Sequence, residues 1–226
     1  ALNHLKKPSM YIGTLGMEVT RHKTQTGMTT PDTVSLQGML HQGQKQKALY
    51  SCIETSSHGL AQGRLEGINF QIGIFTNLTQ DHLDYHRNME SYYRAKRRLF
   101  EYMLLSSRKQ PESAKGAVIC IDDDYGRRLY LWLKSQTPSF PVISLSLRDK
   151  AADAYITDVE ATFDGYSCVL IFAQKSYFIK TRLLGRFNLM NLSSAFLALL
   201  CLGFGTEEAL AAIQQVEPVP GRFEVL

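Results

Sequence analysis

Thr76-Asn-Leu-Thr-Gln-Asp81-His82-Leu-Asp84-Tyr-His86 follows directly on the apolar run Ile72–Phe75 and leads into Met89-Glu-Ser-Tyr-Tyr-Arg-Ala-Lys96. Two histidines and two aspartates fall within six residues, at the carboxyl end of an expected strand. In open α/β sheets that edge is where ligands sit. The segment behind it reads as a helix over residues 90–105. At roughly 100° per residue, Tyr92, Leu99, Phe100 and Met103 share one face, whereas Arg94, Arg98 and Glu101 point away. Lys96 falls in the middle of the apolar face. Burial lowers a lysine pKa, and a neutral amine can act as a nucleophile or take up carbon dioxide to become an anionic carbamate. The alternative is a stem lying along the apolar face with its ammonium reaching water.

Working outward, apolar or β-rich runs recur at residues 10–13, 48–53, 71–75, 117–121 and 142–147. Helix-like stretches at 33–43, 90–105 and 125–135 separate most of them. This alternation predicts an α/β fold whose main sheet is mostly parallel and flanked by helices. The pattern changes at 154–159, 165–173 and 176–184, which read as a small antiparallel sheet with a turn at Phe163-Asp-Gly165. Two helices are expected after it, at 188–202 and 206–216, the second opened by a Thr206 cap with Glu207 and Glu208 in its first turn.

Composition narrows the function classes. The formal net charge of +4 is dispersed, and the densest basic cluster (Arg94, Lys96, Arg97, Arg98) is split between helix faces. That argues against a nucleic-acid groove and fits a site for anionic small molecules. Cys52, Cys120, Cys168 and Cys201 lie far apart, each in an apolar run, as expected of reduced, buried thiols in a cytoplasmic protein. No apolar run is long enough to span a bilayer, and no membrane partner is expected.

Four blocks of sequence resemble the Mur ligases. The run T-N-L-x-x-D-H-L-D-Y-H-x-x-M-E-x-Y-x-x-A-K ends at Lys96. Glu54-Thr-Ser56-Ser-His-Gly-Leu-Ala-Gln62-Gly-Arg64 is similar to E-V-S-S-H-x-L-x-Q-x-R, with Thr55 in place of a usual valine. Gly185-Arg-Phe-Asn188-Leu-Met-Asn191 resembles G-x-F-N-x-x-N, and Gly221-Arg222-Phe-Glu224 resembles the G-R-x-E that closes the family's central domain. Within the family the chain is most similar to the UDP-N-acetylmuramoyl-tripeptide synthetases, which add the third residue of the peptidoglycan stem peptide.

The resemblance implies a fold, a reaction and a set of site residues. Residues 1–226 correspond to the central ATP-binding domain without its phosphate loop, and no G-x-x-x-x-G-K-S/T occurs in the chain. An N-terminal UDP-sugar domain and a C-terminal domain for the incoming amino acid would complete the protein, and this part alone is expected to be inactive. The reaction joins a diamino acid, diaminopimelate or lysine, to UDP-N-acetylmuramoyl-L-alanyl-D-glutamate through an acyl phosphate, using ATP and Mg2+. Glu54 matches the ligand of the magnesium that bridges the ATP phosphates, a role suited to a hard oxygen donor. His82 matches a ligand of a second magnesium, although nitrogen ligands suit zinc better. Lys96 matches the family's carbamylated lysine. Thr29, Thr30, Ser56, Gln62 and Arg64 match substrate-binding positions, and the planar fork of Arg64 can grip a carboxylate bidentately. Asn188, Asn191 and Arg222 match ATP-binding positions; Asn188 also sits where it can cap a helix. Asp81, Asp84 and His86 could orient His82. A monomer acting on small molecules is expected. Two other readings stay open, a folylpolyglutamate- or cyanophycin-type ligase of the same fold and a non-catalytic binding module.

Overall fold

The turn Thr14–Leu15 joins the first two strands of the chain, β1 (Ser9–Gly13) and β2 (Gly16–Val19), in register from Met10 opposite Val19 to Gly13 opposite Gly16. Met10 and Ile12 alternate into the core on β1, as a strand with one covered face requires. The computed structural model describes residues 1–19, 22–163 and 165–217, and these form two compact units. The first consists of Leu2–Asn69 with Gln80–Tyr102. In it β3 (His22–Thr24) pairs with β2, and β4 (Tyr50–Ile53) runs parallel to β1, giving the order β3-β2-β1-β4. A parallel pair needs a crossover, here α1 (Thr33–Lys45), capped by Asp32, whose carboxylate accepts from the Ser35 N–H. Three further helices follow: α2 (Ser57–Ala61), α3 (Leu83–His86) and α4 (Met89–Lys109), the last belonging to this unit as far as Tyr102. Tyr92, Leu99, Phe100 and Met103 are buried along α4, as their helical phase predicts.

The second unit consists of Phe70–Thr79 and the described residues from Met103 onward. Its six strands are β5 (Ile72–Phe75), β6 (Gly116–Cys120), β7 (Val142–Ser146), β8 (Ala154–Thr162), β9 (Gly165–Phe172) and β10 (Lys175–Thr181). They form one sheet in sequence order, parallel from β5 to β8 and antiparallel from β8 to β10. Every residue of β6 and β7 is buried, as expected of parallel strands covered on both faces. The helices are α5 (Asp124–Ser135), α6 (Phe187–Cys201) and α7 (Thr206–Gln214). The Asp123 carboxylate caps α5 through the Gly126 N–H and also accepts from the Leu78 N–H behind β5. Among the described residues no helix is long and apolar enough to cross a membrane.

The fold class is the expected one, a mainly parallel six-stranded sheet with helices plus a small second sheet, but the strands are distributed differently. The segments at 154–184 continue the large sheet, because Leu145 and Ser146 of β7 pair with Ala154 and Tyr155 of β8. The small sheet is instead the one built by β1 to β4. One smaller expectation also changes. The cap position of α7 is Gly205, with Thr206 as the first helical residue. Asp164 of the expected turn and the whole of Gly221–Glu224, Arg222 included, lie outside the described residues.

Phe196 tests the core of the second unit. It is fully buried on α6, with the Tyr177 ring of β10 at 5.0 Å between centroids. Phe196→Ala is expected to cost about 3–5 kcal/mol through lost burial and the cavity left behind. Denaturant unfolding of the variant against the parent measures it.

Candidate active site

In the first unit, strand β4 ends one residue before Glu54, whose N–H still donates to the Ile12 carbonyl of β1 at 2.8 Å. The parallel pairing therefore delivers the Glu54 side chain to the carboxyl end of both strands. There Glu54 Oε2 accepts from the Thr14 N–H at 2.9 Å and from Thr14 Oγ1 at 2.7 Å. Thr14 Oγ1 lies 3.0 Å from Thr29 Oγ1. A hydroxyl has one proton to give, so with Thr14 donating to the carboxylate, Thr29 donates to Thr14. The absence of a side chain at Gly13 makes room for this, since a Cβ there would sit 2.7 Å from the Glu54 carboxyl carbon. Sequence reading missed Thr14, and its only signal was the Gly13-Thr-Leu-Gly16 turn.

Thr30 and Ser56 serve the backbone. Thr30 is buried, with Oγ1 donating to the Glu54 carbonyl at 2.7 Å and accepting from the Ser56 N–H at 2.9 Å. Ser56 caps α2, its Oγ accepting from the Gly59 N–H at 3.1 Å. The two residues fix the path of the chain between β4 and α2. Gln62 and Arg64 then emerge from the turn after α2. Both Arg64 Nε, at 2.9 Å, and Arg64 Nη2 donate to Gln62 Oε1, while Nη1 donates to the Thr30 carbonyl at 2.7 Å and to Met28 Sδ at 3.3 Å. Gln62 Nε2 in turn donates to the Tyr85 hydroxyl at 3.2 Å.

The histidine-rich stretch folds as the short helix α3, entered and left by residues in unusual conformations. His82 has φ 54° and ψ 26°, and Arg87 has φ 64°. Positive φ in residues with a side chain costs energy and concentrates at functional sites. The His82 N–H donates to Asp81 Oδ1 at 2.7 Å, and its Nε2 lies 3.5 Å from Asp81 Oδ2. Its ring stands edge-on to His58 and Tyr92, at 5.2 and 5.9 Å between centroids. Asp81 thus lies beside His82, whereas His86 turns elsewhere. Its Nε2 lies 2.8 Å from Ser57 Oγ and its ring stacks on Tyr92. Burial, then the charges of His58 and His82, holds the His86 imidazole below the ordinary histidine pKa.

Lys96 is part-buried on α4, its ammonium donating to the Thr55 carbonyl at 3.4 Å, just before α2. Burial pushes its pKa down, and the negative charge of Glu54 opposes the shift. Two residues on, Arg98 does not point away from the structure, as helical phase predicted. Its Nη1 donates to the carbonyls of Leu60 at 3.0 Å and Ala61 at 2.8 Å.

The donor set can be weighed against a magnesium ion. Glu54 supplies a hard carboxylate oxygen at a strand end, the donor such an ion prefers alongside water and phosphate oxygens. Lys96 as an ammonium is itself a cation and fits only as a carbamate. Among the described residues no three His, Cys, Asp or Glu side chains converge as a ready metal site.

Asn188 and Asn191 lie in the second unit, in the first turns of α6. Asn188 does not cap the helix, because Arg186 occupies that position; its Nδ2 reaches back to the Leu184 carbonyl at 2.8 Å. Its Oδ1 accepts from Asn191 Nδ2 at 3.2 Å. Of the cysteines, Cys120 and Cys168 are buried, their thiols pushed up by burial to about 12 and about 11. Cys52 is exposed, contrary to expectation, on the edge strand β4.

Known proteins resemble this chain along its whole length. It is 38% identical over 227 residues to the UDP-N-acetylmuramoyl-L-alanyl-D-glutamate–2,6-diaminopimelate ligase of Neisseria meningitidis serogroup B, covering all of this chain and 44% of that protein. It is 36% identical over 222 residues to the corresponding L-lysine ligase of Staphylococcus haemolyticus, covering 98% of this chain and 43% of that protein. A solved structure of a diaminopimelate ligase of this kind superposes with a TM-score of 0.87 at 32% identity, over all of this chain and 44% of that one. The chain thus spans less than half the length of the curated relatives it matches. Residues 2–199 match the Mur ligase middle domain, and the chain belongs to that family.

Proposed function

We propose that this chain is the ATP-binding middle domain of a ligase that joins a diamino acid to UDP-N-acetylmuramoyl-L-alanyl-D-glutamate in peptidoglycan synthesis. In the whole protein a UDP-sugar domain and an amino-acid domain would accompany it. The observation that carries the proposal is the pairing, within one unit, of a metal-type carboxylate with an oriented guanidinium: Glu54 held by Thr14, and Arg64 held by Gln62 and Thr30.

Forming an amide from a carboxylate at neutral pH requires an activated carboxyl. The γ-phosphoryl group of ATP passes to the glutamyl side-chain carboxylate, the diamino acid's amine attacks the acyl phosphate, and the tetrahedral intermediate expels phosphate. Such chemistry rests on positioning and on stabilising charge. Arg64 would take the substrate's carboxylate on its planar fork in place of Gln62 Oε1, which holds the Nε and Nη2 donors in this structure. Thr29 and Thr14 orient Glu54, and Gln62 sets the rotation of Arg64. Glu54 would hold a magnesium ion, which would supply charge stabilisation for phosphoryl transfer. His82 and Lys96, the latter as its carbamate, would hold a second ion. We assign Asn188 and Asn191 to the adenine, whose edge needs a group that both donates and accepts, and Arg222 to ATP binding as well. We assign the choice between lysine and diaminopimelate to the part of the protein outside this chain. The protein works in the cytoplasm as a monomer on small molecules, without a nucleic-acid or membrane partner.

Phosphate release from ATP by the full-length protein tests this. It is expected only with the muramoyl dipeptide plus one of the two diamino acids. Release with folate and glutamate instead would move the protein to a sister ligase class. No release with either substrate set would favour a binding module.

A further inference from the structure

A helix of five residues cannot sustain itself in water, and its last carbonyls have no partners within the helix. Helix α2 is such a helix, yet Gln62 and Arg64 project from the turn that ends it. That turn is closed by thin means. The N–H groups of Gln62, Gly63 and Arg64 return to the carbonyls of His58, Leu60 and Gly59 at 2.9, 3.3 and 2.9 Å, and Gly63 reverses the chain with φ +70°. Arg98 of α4 stands against this turn, donating to the Leu60 carbonyl and to the neighbouring carbonyl of Ala61. A cation at a helix C-terminus is favoured by the helix dipole, and hydrogen bonds from a charged donor are the strong ones.

Helix α4 therefore meets α2 at both ends. Lys96 reaches the Thr55 carbonyl ahead of it, and Arg98 the carbonyls that close it. Conversion of Lys96 to a carbamate leaves Nζ one N–H and adds two anionic acceptor oxygens; the contact of Arg98 does not depend on it.

We infer that Arg98 is a positioning residue: by holding the Leu60 and Ala61 carbonyls it fixes the turn that presents Gln62 and Arg64 to the substrate carboxylate. The inference rests on the proposed role of Arg64 as the carboxylate grip. Arg98 touches neither substrate nor nucleotide in this account and acts only through the turn.

The test uses the full-length protein with Arg98→Met, which keeps the apolar stem and removes the donors, and Arg98→Lys, which keeps the charge. In Arg98→Met the KM for the muramoyl dipeptide is expected to rise about tenfold or more, with kcat within about threefold and the KM for ATP unchanged. Arg98→Lys should recover part of the loss. An unchanged dipeptide KM, or equal losses for the dipeptide and ATP, overturns the inference. Amide hydrogen exchange decides the matter without any turnover. Faster exchange at Gln62, Gly63 and Arg64 in Arg98→Met, with the β6 amides unaffected, supports the clamp, and unchanged exchange at those three overturns it. Wild-type protein that fails to turn over the dipeptide refutes the proposed function and leaves the exchange result to judge Arg98.

Discussion

Lys96→Ala in the full-length protein is expected to lower turnover by about a thousandfold or more, the scale of losing a group that acts on the transition state. A short-chain carboxylic acid added to the assay should restore part of the activity. The physical case begins with the apolar face of α4, where Lys96 lies among Tyr92, Leu99 and Phe100. Burial holds its amine below the ordinary lysine pKa despite the opposing charge of Glu54, so more of it is neutral at a given pH and able to take up carbon dioxide. The anionic oxygens gained that way are what a small acid can replace in the space left by the missing side chain. Activity at the wild-type level in the alanine variant would remove Lys96 from the mechanism. A dead variant without rescue would point to the ammonium and its bond to the Thr55 carbonyl.

Glu54→Gln is expected to lower kcat by about a hundredfold to a thousandfold and to raise the magnesium concentration needed for half-maximal rate. This substitution isolates charge from structure. A glutamine oxygen can still accept from the Thr14 N–H and hydroxyl, so the Glu54–Thr14–Thr29 chain keeps its shape while the carboxylate is gone. Melting temperature should stay close to that of the parent. A kcat and a magnesium requirement both equal to the parent's would exclude Glu54 as a metal ligand.

Much of this was legible in the sequence because it depends on local periodicity. The alternation of strands and helices, the buried stripe of α4 and the position of Glu54 past a strand end can all be read from neighbours in the chain. What escaped depends on contacts across the chain or on elements too short to have a period. Strands β2 and β3 and helices α2 and α3 have five residues or fewer, less than two turns of helix or a few alternations. The attachment of β8 to β7 rests on two residue pairs, which no pattern in either strand announces. Thr14 meets Glu54 across 40 residues, and Arg98 meets Leu60 across 38. Helical phase gives the side of α4 from which Arg98 departs, but not how far its long stem can bend back.

Arg64 illustrates a consequence for selectivity. Its guanidinium is aimed by an amide oxygen, a peptide carbonyl and a thioether, and all three are uncharged. The side chain is thus oriented without being neutralised. In its proposed role, Arg64 would exchange these neutral acceptors for an arriving carboxylate, with no ion pair to a carboxylate of the described residues to break. An uncharged amide of the same shape would find the same acceptors to displace and none of the attraction, so on this proposal the preference for an ionised ligand is set before anything binds.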